Sequence, residues 1–173
     1  FVSDGHAIDG PSRIVKFTKD GTFIKAFGTN GYGPGQLRQP HALNIDPATG
    51  HVYVADRINS RIVIFDQDGK YLHRWTQFGM PSDIVFDAQG NIYVADTGNH
   101  TIRKITSAGV VTTLAGSPCR TGSTDGTGSA AMFCNPYGVA VDSSGNIYVA
   151  DSGHNTIHNI TSVACMRFWP RRP

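Results

Sequence analysis

The chain is short of charge, of long apolar runs and of cysteine, and each shortage excludes a class of protein. Only 16% of its 173 residues are charged, and the formal net charge of +2 is too small to argue for a nucleic-acid partner. No apolar stretch approaches the roughly 20 residues that a membrane-spanning helix needs, so no membrane contact is expected. The three cysteines have spacings that match no cysteine-based zinc site.

Glycine is abundant instead, and no segment repeats its apolar residues at the period of a helix. With 20 glycines and 39% hydrophobic residues, the chain is rich in turns and can still bury a core, and its length fits one domain. The odd number of cysteines gives no firm indication of an oxidising compartment. The localisation is therefore left open, with an extracytoplasmic location favoured.

A four-residue phrase recurs along the chain. It reads Phe-Val-Ser-Asp at 1–4 and Tyr-Val-Ala-Asp at 53–56, 93–96 and 148–151. The last three copies follow a proline-led apolar run and a glycine turn, and every copy precedes an alternating apolar segment. This pattern predicts a unit of four short antiparallel strands, repeated radially as the blades of an all-β propeller. A β-sandwich is the alternative, but the repeats agree in side-chain identity as well as in pattern.

The spacing of the repeats predicts how the domain at 1–173 is organised. The tyrosines of the phrase lie 40 and then 55 residues apart, so the second interval carries an insertion. The prediction is a propeller of about four blades: a partial blade at 1–28, blades at 36–76, 79–116 and 135–169, and an inserted loop at 117–134. The ring is expected either to be incomplete, as part of a six-bladed parent, or to be closed by pairing of 163–169 with 1–4.

The first 75 residues also carry an ordered run of short motifs: Phe-Val-Ser-Asp-Gly-His at 1–6, Ser-Arg-Ile-Val-Lys-Phe at 12–17, Asp-Gly at 20–21, Pro-Gly-Gln-Leu at 34–37, Pro-His-Ala-Leu at 40–43 and Val-Ala-Asp-Arg at 54–57. The repeats resemble NHL repeats over nearly the whole chain. The motif run resembles, more narrowly, the lyase domain of peptidylglycine α-amidating monooxygenase and its bacterial relatives. From about residue 90 the chain is similar to bacterial NHL repeats in general.

The residue after each opening proline is an equivalent ring position, occupied by His41, Ser82 and Tyr137. In the amidating lyase, the Pro-His positions of three blades supply the zinc ligands, so the resemblance implies that His41 is a metal-ligand candidate. A hydrogen-bonded histidine without metal is the alternative. The family's Met-Pro-His-Asp stands here as Met-Pro-Ser-Asp at 80–83. The residues expected to face the ring or a substrate are Met80, Ser82, Asp83 and Tyr137.

Two further positions follow from the same resemblance. Arg57 matches an arginine of the lyase active site, where a guanidinium can hold a carboxylate through two parallel hydrogen bonds. Pairing of Arg57 with the aspartate of a neighbouring blade is the alternative. His6 stands where the animal lyases have a catalytic tyrosine, and an imidazole can also act as a general base. The four residues 7–10 lengthen its loop, however, so displacement of His6 from that place is the alternative.

The sequence predicts structural roles for its recurring aspartates, for two recurring arginines and for two of its cysteines. The aspartates that end the second strands, and those before the glycine turns, are expected to cap the turns that follow. The recurrence of Arg13 and Arg61 indicates packing or a salt bridge. Cys119 and Cys134 bracket the inserted loop, whose glycine-rich composition predicts flexibility. A disulfide at the base of this loop and two isolated thiols are both open.

Two functions remain open. The first is a binding or scaffold module, whose inter-blade loops engage a peptide, a protein or a small molecule. It includes a homodimer formed through open blade edges. The second is a zinc-dependent lyase or hydrolase of the amidating-lyase type, with His41 on zinc, Arg57 on the substrate carboxylate and His6 as base. A catalytic zinc usually has three protein ligands, and the ring shows one imidazole, so the sequence leaves enzyme activity undecided.

Overall fold

The computed structural model describes residues 1–5 and 10–160, and the backbone of 166–168. The chain divides into two compact units, Phe1–Pro81 and Ser82–Pro173. The helical segments within the described residues are two 3-10 turns, Thr97–Asn99 and Gly128–Ala130. In that same part of the chain, no helix reaches the length and hydropathy that crossing a bilayer requires. Strands therefore build both units.

The first unit holds two antiparallel sheets. Sheet 1 has the order β1-β2-β3, with strands Val2–Asp4, Arg13–Phe17 and Phe23–Phe27. A short parallel pair follows, β4 (Thr29–Asn30) and β5 (Gln36–Leu37). Sheet 2 has the order β6-β7-β8-β9, with strands Pro40–Ile45, Val52–Asp56, Arg61–Phe65 and Tyr71–Trp75.

The second unit repeats this arrangement. Sheet 3 has the order β10-β11-β12-β13, with strands Asp83–Phe86, Ile92–Asp96, Thr101–Ile105 and Val111–Gly116. Sheet 4 has the order β14-β15-β16-β17, with strands Pro136–Val141, Ile147–Asp151, Thr156–Ile160 and Met166–Phe168. The predicted all-β propeller with blades of antiparallel strands is confirmed. In the described part of the tail, 166–168, the predicted pairing with 1–4 is not found, because the backbone of β17 pairs with β16 as the outer strand of sheet 4.

An aspartate closes the hairpin between the first two strands of sheets 2, 3 and 4, as the sequence predicted. The carboxylate of Asp87 accepts hydrogen bonds from the backbone amides of Gln89 (2.9 Å) and Asn91 (2.8 Å) and from the hydroxyl of Tyr93 (3.0 Å). Burial and this bond to Asp87 raise the pKa of Tyr93 to about 12. Equivalent bonds to turn amides are made by Asp46 and Asp142. Each turn is thus fixed by a side chain of its own repeat.

Within each unit, an apolar face of one sheet packs on an apolar face of the next. In the first unit, the buried core combines Ile14 and Leu37 with four residues of sheet 2, namely Val52, Val54, Val63 and Phe65. In the second unit, sheet 3 contributes Tyr93, Ala95 and Ile102, and sheet 4 contributes Val139, Ile147, Val149 and Ile160. Burying one large apolar side chain stabilises a fold by about 1.5–3 kcal/mol.

The inserted loop also reaches this second core. Ala131 and Phe133 are buried in it, and the Phe133 ring meets the ring of His158 edge-on at 5.3 Å between centroids. The glycine-rich composition predicted a flexible loop, but its second half is held by apolar packing. Glycine content measures the freedom of the backbone, whereas one buried phenylalanine is enough to anchor a segment.

Candidate functional site

Asp56, at the end of β7, is the centre of a buried polar cluster in the first unit. Its carboxylate accepts hydrogen bonds from the Arg38 amide (2.6 Å), Asn59 Nδ2 (2.8 Å) and Arg61 Nε (2.7 Å). The sequence predicted a cap for the turn that follows, and Asn59 does lie in that turn. The amide of Arg38, however, belongs to the loop that precedes the first strand of the sheet. Asp56 therefore joins two loops at one end of sheet 2.

Arg61, the first residue of β8, extends this cluster under the loop at 31–37. Its side chain is only 5% exposed and Asp56 is fully buried. The guanidinium donates to the carbonyl oxygens of Tyr32 (2.7 Å), Gln36 (2.7 Å) and Gly33 (3.2 Å). A buried guanidinium is stable only when its donors are paired, and here each nitrogen finds an acceptor. The loop is consequently fixed from inside the molecule.

The outer side of this loop presents an aromatic and a cationic side chain. Tyr32 is 65% exposed, and the guanidinium carbon of Arg38 lies 4.9 Å from the centre of its ring. Arg38 Nη1 also donates to the Tyr32 hydroxyl. The amide of Ile58 donates to the Arg38 carbonyl oxygen at 3.2 Å, which draws the 57–60 turn against the loop. We call Tyr32, Arg38, Arg57 and Ile58 the rim surface.

His41 lies at the same end of sheet 2. The register between β6 and β7 shifts between Pro40 and Leu43, so His41 sits in a β-bulge with a half-buried side chain. Bulges commonly re-aim a side chain beside a functional site. Pro40 pairs with Asp56, which Arg57 directly follows. The structure thus brings the metal-ligand candidate and the carboxylate-binding candidate to one end of one sheet.

The end of β1 reaches this place as well. The Ser3 hydroxyl donates to the His41 carbonyl oxygen at 3.3 Å. Gly5 packs so closely on Pro40 that a Cβ at position 5 would lie 2.8 Å from the proline Cδ, so a larger residue would collide. His6 follows Gly5 in the chain but lies outside the described residues. Its catalytic role stays a prediction.

The ring positions of the second unit behave differently from one another. Tyr137 lies in a bulge like His41 and is exposed. Ser82 is only 1% exposed, and its hydroxyl lies 2.8 Å from that of Thr97, which donates to the Pro136 carbonyl oxygen at 2.6 Å. The Ser82 hydroxyl is thus buried against Thr97, and its expected place on the ring or towards a substrate stays a prediction.

Asp83 and Met80 also have structural roles. The two carboxylate oxygens of Asp83 accept the amides of Ile84 (2.8 Å) and Val139 (2.9 Å), which ties sheet 3 to sheet 4. Met80 has a φ of 57°, in the left-handed region. The residues before the other two opening prolines share this conformation, Gln39 at 50° and Asn135 at 56°. Met80 thus shapes the turn into its repeat.

A second buried aspartate cluster, in sheet 4, contains histidines to which the sequence assigned no chemistry. Asp151 Oδ2 lies 3.0 Å from His154 Nδ1 and 3.4 Å from the buried His158 Nε2, and the Cys134 amide donates to Oδ1 at 3.0 Å. Burial alone would raise the pKa of Asp151, but these hydrogen bonds outweigh it and lower the pKa below its usual value. The sequence does contain a signal for the role of His158: in the preceding repeat, the equivalent residue of the third strand is Arg103.

The structure bears on two predicted features, a disulfide at the base of the inserted loop and a group of metal ligands. Cys119 and Cys134 are free thiols, so the alternative of a disulfide across the inserted loop is not found. Cys119 takes part in a turn through its amide, while the Cys134 carbonyl oxygen accepts from the Gly153 amide at 2.8 Å, and each is thereby held by its own contacts. Cys165 lies outside the described residues. Over the described ranges, no three side chains of His, Cys, Asp or Glu are grouped to hold a metal ion.

Comparison with known proteins agrees with the repeat arrangement. The family model of the NHL repeat matches residues 37–65, 78–105 and 133–158. These segments coincide with the first three strands of sheets 2, 3 and 4. Three segments of this chain are NHL repeats.

Among curated relatives, mouse NHL repeat-containing protein 3 is 38% identical over 88 residues, which is 48% of this chain and 25% of that protein. Mouse peptidyl-glycine alpha-amidating monooxygenase is 29% identical over 178 residues, which is 93% of this chain and 16% of that protein. This NHL-repeat chain therefore spans a quarter or less of the length of these two relatives. The likeness to the monooxygenase covers nearly the whole chain, whereas the sequence predicted that the narrower resemblance would lapse from about residue 90.

Solved structures support the fold. An auxiliary nutrient binding protein from Bacteroides ovatus superposes with a TM-score of 0.75 at 17% identity, covering 98% of this chain and 43% of that one. At this identity the likeness concerns the arrangement of strands alone. The NHL repeats thus share their architecture with proteins of unrelated sequence.

Proposed function

We propose that this NHL-repeat chain is a binding module whose rim surface holds a peptide or small molecule through a carboxylate group. The observation that carries the proposal is the buried Arg61. Its side chain is held by Asp56 and donates three hydrogen bonds to the carbonyl oxygens of a loop whose outer side bears an exposed tyrosine against an arginine. Fixing a loop before binding reduces the conformational entropy lost on binding, which is how a small surface gains affinity.

The residue types of the rim surface suit this ligand class. Arg38 and Arg57 each carry a planar guanidinium that can bind a carboxylate through two parallel hydrogen bonds. Tyr32 offers an aromatic face and Ile58 an exposed apolar side chain to the rest of the ligand. A peptide that ends in a free carboxylate combines both features. The loops of other propeller blades would add further contacts in a scaffold role.

The test compares short peptides carrying a free C-terminal carboxylate with the same peptides carrying a C-terminal amide, by fluorescence anisotropy. We expect the carboxylate form to bind more tightly. Arg38→Gln and Arg57→Gln should each weaken its binding by about tenfold or more, as expected for the loss of a charge-assisted hydrogen bond. Arg74→Gln, on the exposed strand β9, is the matched control and should bind as the unaltered protein does. Equal binding of acid and amide, or no binding by either, would contradict the proposal.

A second candidate is an enzyme of the amidating-lyase type. The likeness to the mouse monooxygenase over 93% of the chain favours it, and so does the convergence of β1, β6 and β7 near His41 and Arg57. In this role Arg57 would hold the substrate carboxylate. The described residues provide no group of three metal ligands, so the fit to zinc is poor and no zinc-dependent step is derived. Metal analysis after loading with zinc separates the candidates: stoichiometric zinc that His41→Ala removes favours the lyase, whereas absent zinc rejects it.

A further inference from the structure

The outer face of sheet 4 carries the same kind of residues as a face of sheet 3 that is covered. On sheet 3, the face packed against sheet 4 consists of Val85, Tyr93, Ala95 and Ile102. The equivalent residues of sheet 4, fixed by the same pairing of strands, are Ala140, Tyr148, Ala150 and Ile157. Ile102 is 0% exposed, whereas Ile157 is 45% exposed. The repeat therefore shows that this type of face is normally buried.

An open pocket of about 290 Å³ lies on this outer face, and its lining includes all four of the equivalent residues. Its remaining lining is largely apolar too, with Gly138, Val139 and Val149 beside the carboxylate of Asp83. Both oxygens of that carboxylate already accept backbone amides. The pocket thus offers apolar surface and shape rather than a polar site, which favours another sheet as the occupant.

The covered face shows what kind of sheet fits. Sheet 4 covers sheet 3 with a row of aliphatic residues in which Val149 and Ile160 lie on adjacent strands. Their equivalents in sheet 1 are Val2 and Phe17, which share a face with Phe23, because Val2 pairs with Val15 and Phe17 with Phe23. Val2 is 52% exposed and Phe23 is 60% exposed. The outer face of sheet 4 and this face of sheet 1 are therefore both exposed. They correspond to the two faces that are buried where sheet 3 packs on sheet 4.

We propose that the outer face of sheet 4 binds the Val2, Phe17 and Phe23 face of a second copy of this chain. The contact is head to tail, because the two faces lie on different sheets, and it reproduces the packing of sheet 3 on sheet 4. Such a heterologous contact either closes into a ring of copies or extends into a chain of them. This differs from pairing through strand edges, since side chains of sheet faces make the contact and no backbone hydrogen bonds are needed.

The test is sedimentation velocity of the full 173-residue chain over a range of concentrations, against the monomer mass of 18.6 kDa. We expect association that rises with concentration. Ile157→Lys and Val2→Glu should each weaken association by at least about tenfold, because each places a charge in an apolar contact. Val110→Lys, in an exposed turn of sheet 3, is the matched control and should associate as the unaltered chain does.

Mixing the two variants separates loss of contact from loss of folding. The Val2→Glu copy keeps an intact sheet 4 face, and the Ile157→Lys copy keeps an intact sheet 1 face. We therefore expect the mixture to form heterodimers although each variant alone is monomeric. Three results would overturn the proposal: a monomer at every concentration, association that the control weakens equally, or folded variants that do not associate when mixed.

Discussion

At the scale of residues, the aspartate that ends the Tyr-Val-Ala-Asp strand, or the Phe-Val-Ser-Asp strand of sheet 1, contacts an arginine or a histidine at one of two places. In sheets 1 and 2 the partner is the first residue of the strand that follows the aspartate, which is Arg13 in β2 or Arg61 in β8. In sheets 3 and 4 the partner is the third residue of the strand that follows the aspartate, which is Arg103 in β12 or His158 in β16. Residues two apart in a strand point to the same face, so either position reaches the carboxylate. The repeat thus preserves the contact while its sequence changes.

Arg61→Met tests how much the buried pair contributes. The substitution keeps the volume but leaves the carboxylate of Asp56 buried without its cation, so we expect a loss of about 3–5 kcal/mol in unfolding free energy. Arg13→Met is the matched control at the equivalent place in sheet 1. The side chains of Arg13 and Asp4 are 47% and 39% exposed, so this loss should be about 1 kcal/mol or less. Urea unfolding of both variants measures the difference, and equal losses would contradict it.

The salt-bridge role of Arg13 and Arg61 could be predicted because the residue type recurs at one place in the repeat. The anchoring of the 31–37 loop by Arg61 could not, because its acceptors there are backbone carbonyls, which any sequence supplies. His158 was missed for a different reason. Its counterpart in the preceding repeat is an arginine, and only the shared position, seen with the buried Asp151, shows that the two are equivalent.

At the scale of elements, the same left-handed turns recur in the repeats of sheets 2, 3 and 4. A residue with positive φ precedes each opening proline, and another precedes the third strand, at Ser60, His100 and Asn155. None of these residues is glycine, although a left-handed conformation costs an ordinary residue about 1–2 kcal/mol. The strain is local to each turn and repeats with the blade, so it belongs to the architecture of the repeat.

Ser60→Gly should therefore stabilise the protein. Glycine removes the left-handed strain, and its greater freedom in the unfolded chain returns part of the gain, leaving about 0.5–1 kcal/mol. Ser144→Gly is the control, since Ser144 lies in an exposed turn outside the residues with positive φ. It should lose about 0.5–1 kcal/mol. Thermal unfolding compares the two, and changes of the same sign would show that φ does not decide the outcome.

The elements themselves were largely predictable. The alternating apolar segment predicted after each copy of the phrase forms a strand in sheets 2, 3 and 4, at Arg61–Phe65, Thr101–Ile105 and Thr156–Ile160. The proline-led run of sheet 3 starts at Pro81, but its strand begins at Asp83. A left-handed residue before a proline and a bulge after it do not change the periodic pattern of apolar residues. The first residue of each opening strand therefore could not be predicted from that pattern.

At the scale of the molecule, the repeat fixed which residues are equivalent but not which are accessible. His41, Ser82 and Tyr137 occupy one position of the repeat, yet the first is half-buried, the second buried and the third exposed. Accessibility depends on the neighbouring sheet and on residues such as Thr97, which differ between repeats. The candidate site was therefore predictable as a place in the fold, whereas the chemistry of each position needed the structure.

Aspartates in both units also give the whole molecule a dependence on acid. Hydrogen bonds from amides and side chains lower the pKa of a set of these carboxyls: Asp20, Asp46, Asp66, Asp87, Asp142 and Asp151. Burial acts in the opposite direction and raises the pKa of Asp56. A carboxyl with a lowered folded pKa binds protons more readily when the chain unfolds. Its contribution to stability is therefore present above the unfolded pKa of about 4 and is lost as the pH falls below it.

We expect the unfolding free energy of the protein to fall steadily below about pH 4, since six carboxyls among the described residues have a lowered pKa, against the raised pKa of Asp56. Urea unfolding at pH 7 and at pH 3 measures this change. Asp87→Asn should cost about 1–3 kcal/mol at pH 7, because the carboxylate bonds to Gln89, Asn91 and Tyr93 are weakened. At pH 3 the gap between the variant and the unaltered protein should be smaller than at pH 7, since the lowered pKa of Asp87 adds its full stability only above the unfolded pKa of about 4, and this contribution is lost as the pH falls below it. Asp125→Asn, in an exposed part of the inserted loop, should leave the curve unchanged, and a gap at Asp87 that did not narrow at pH 3 would show that charge is not the cause.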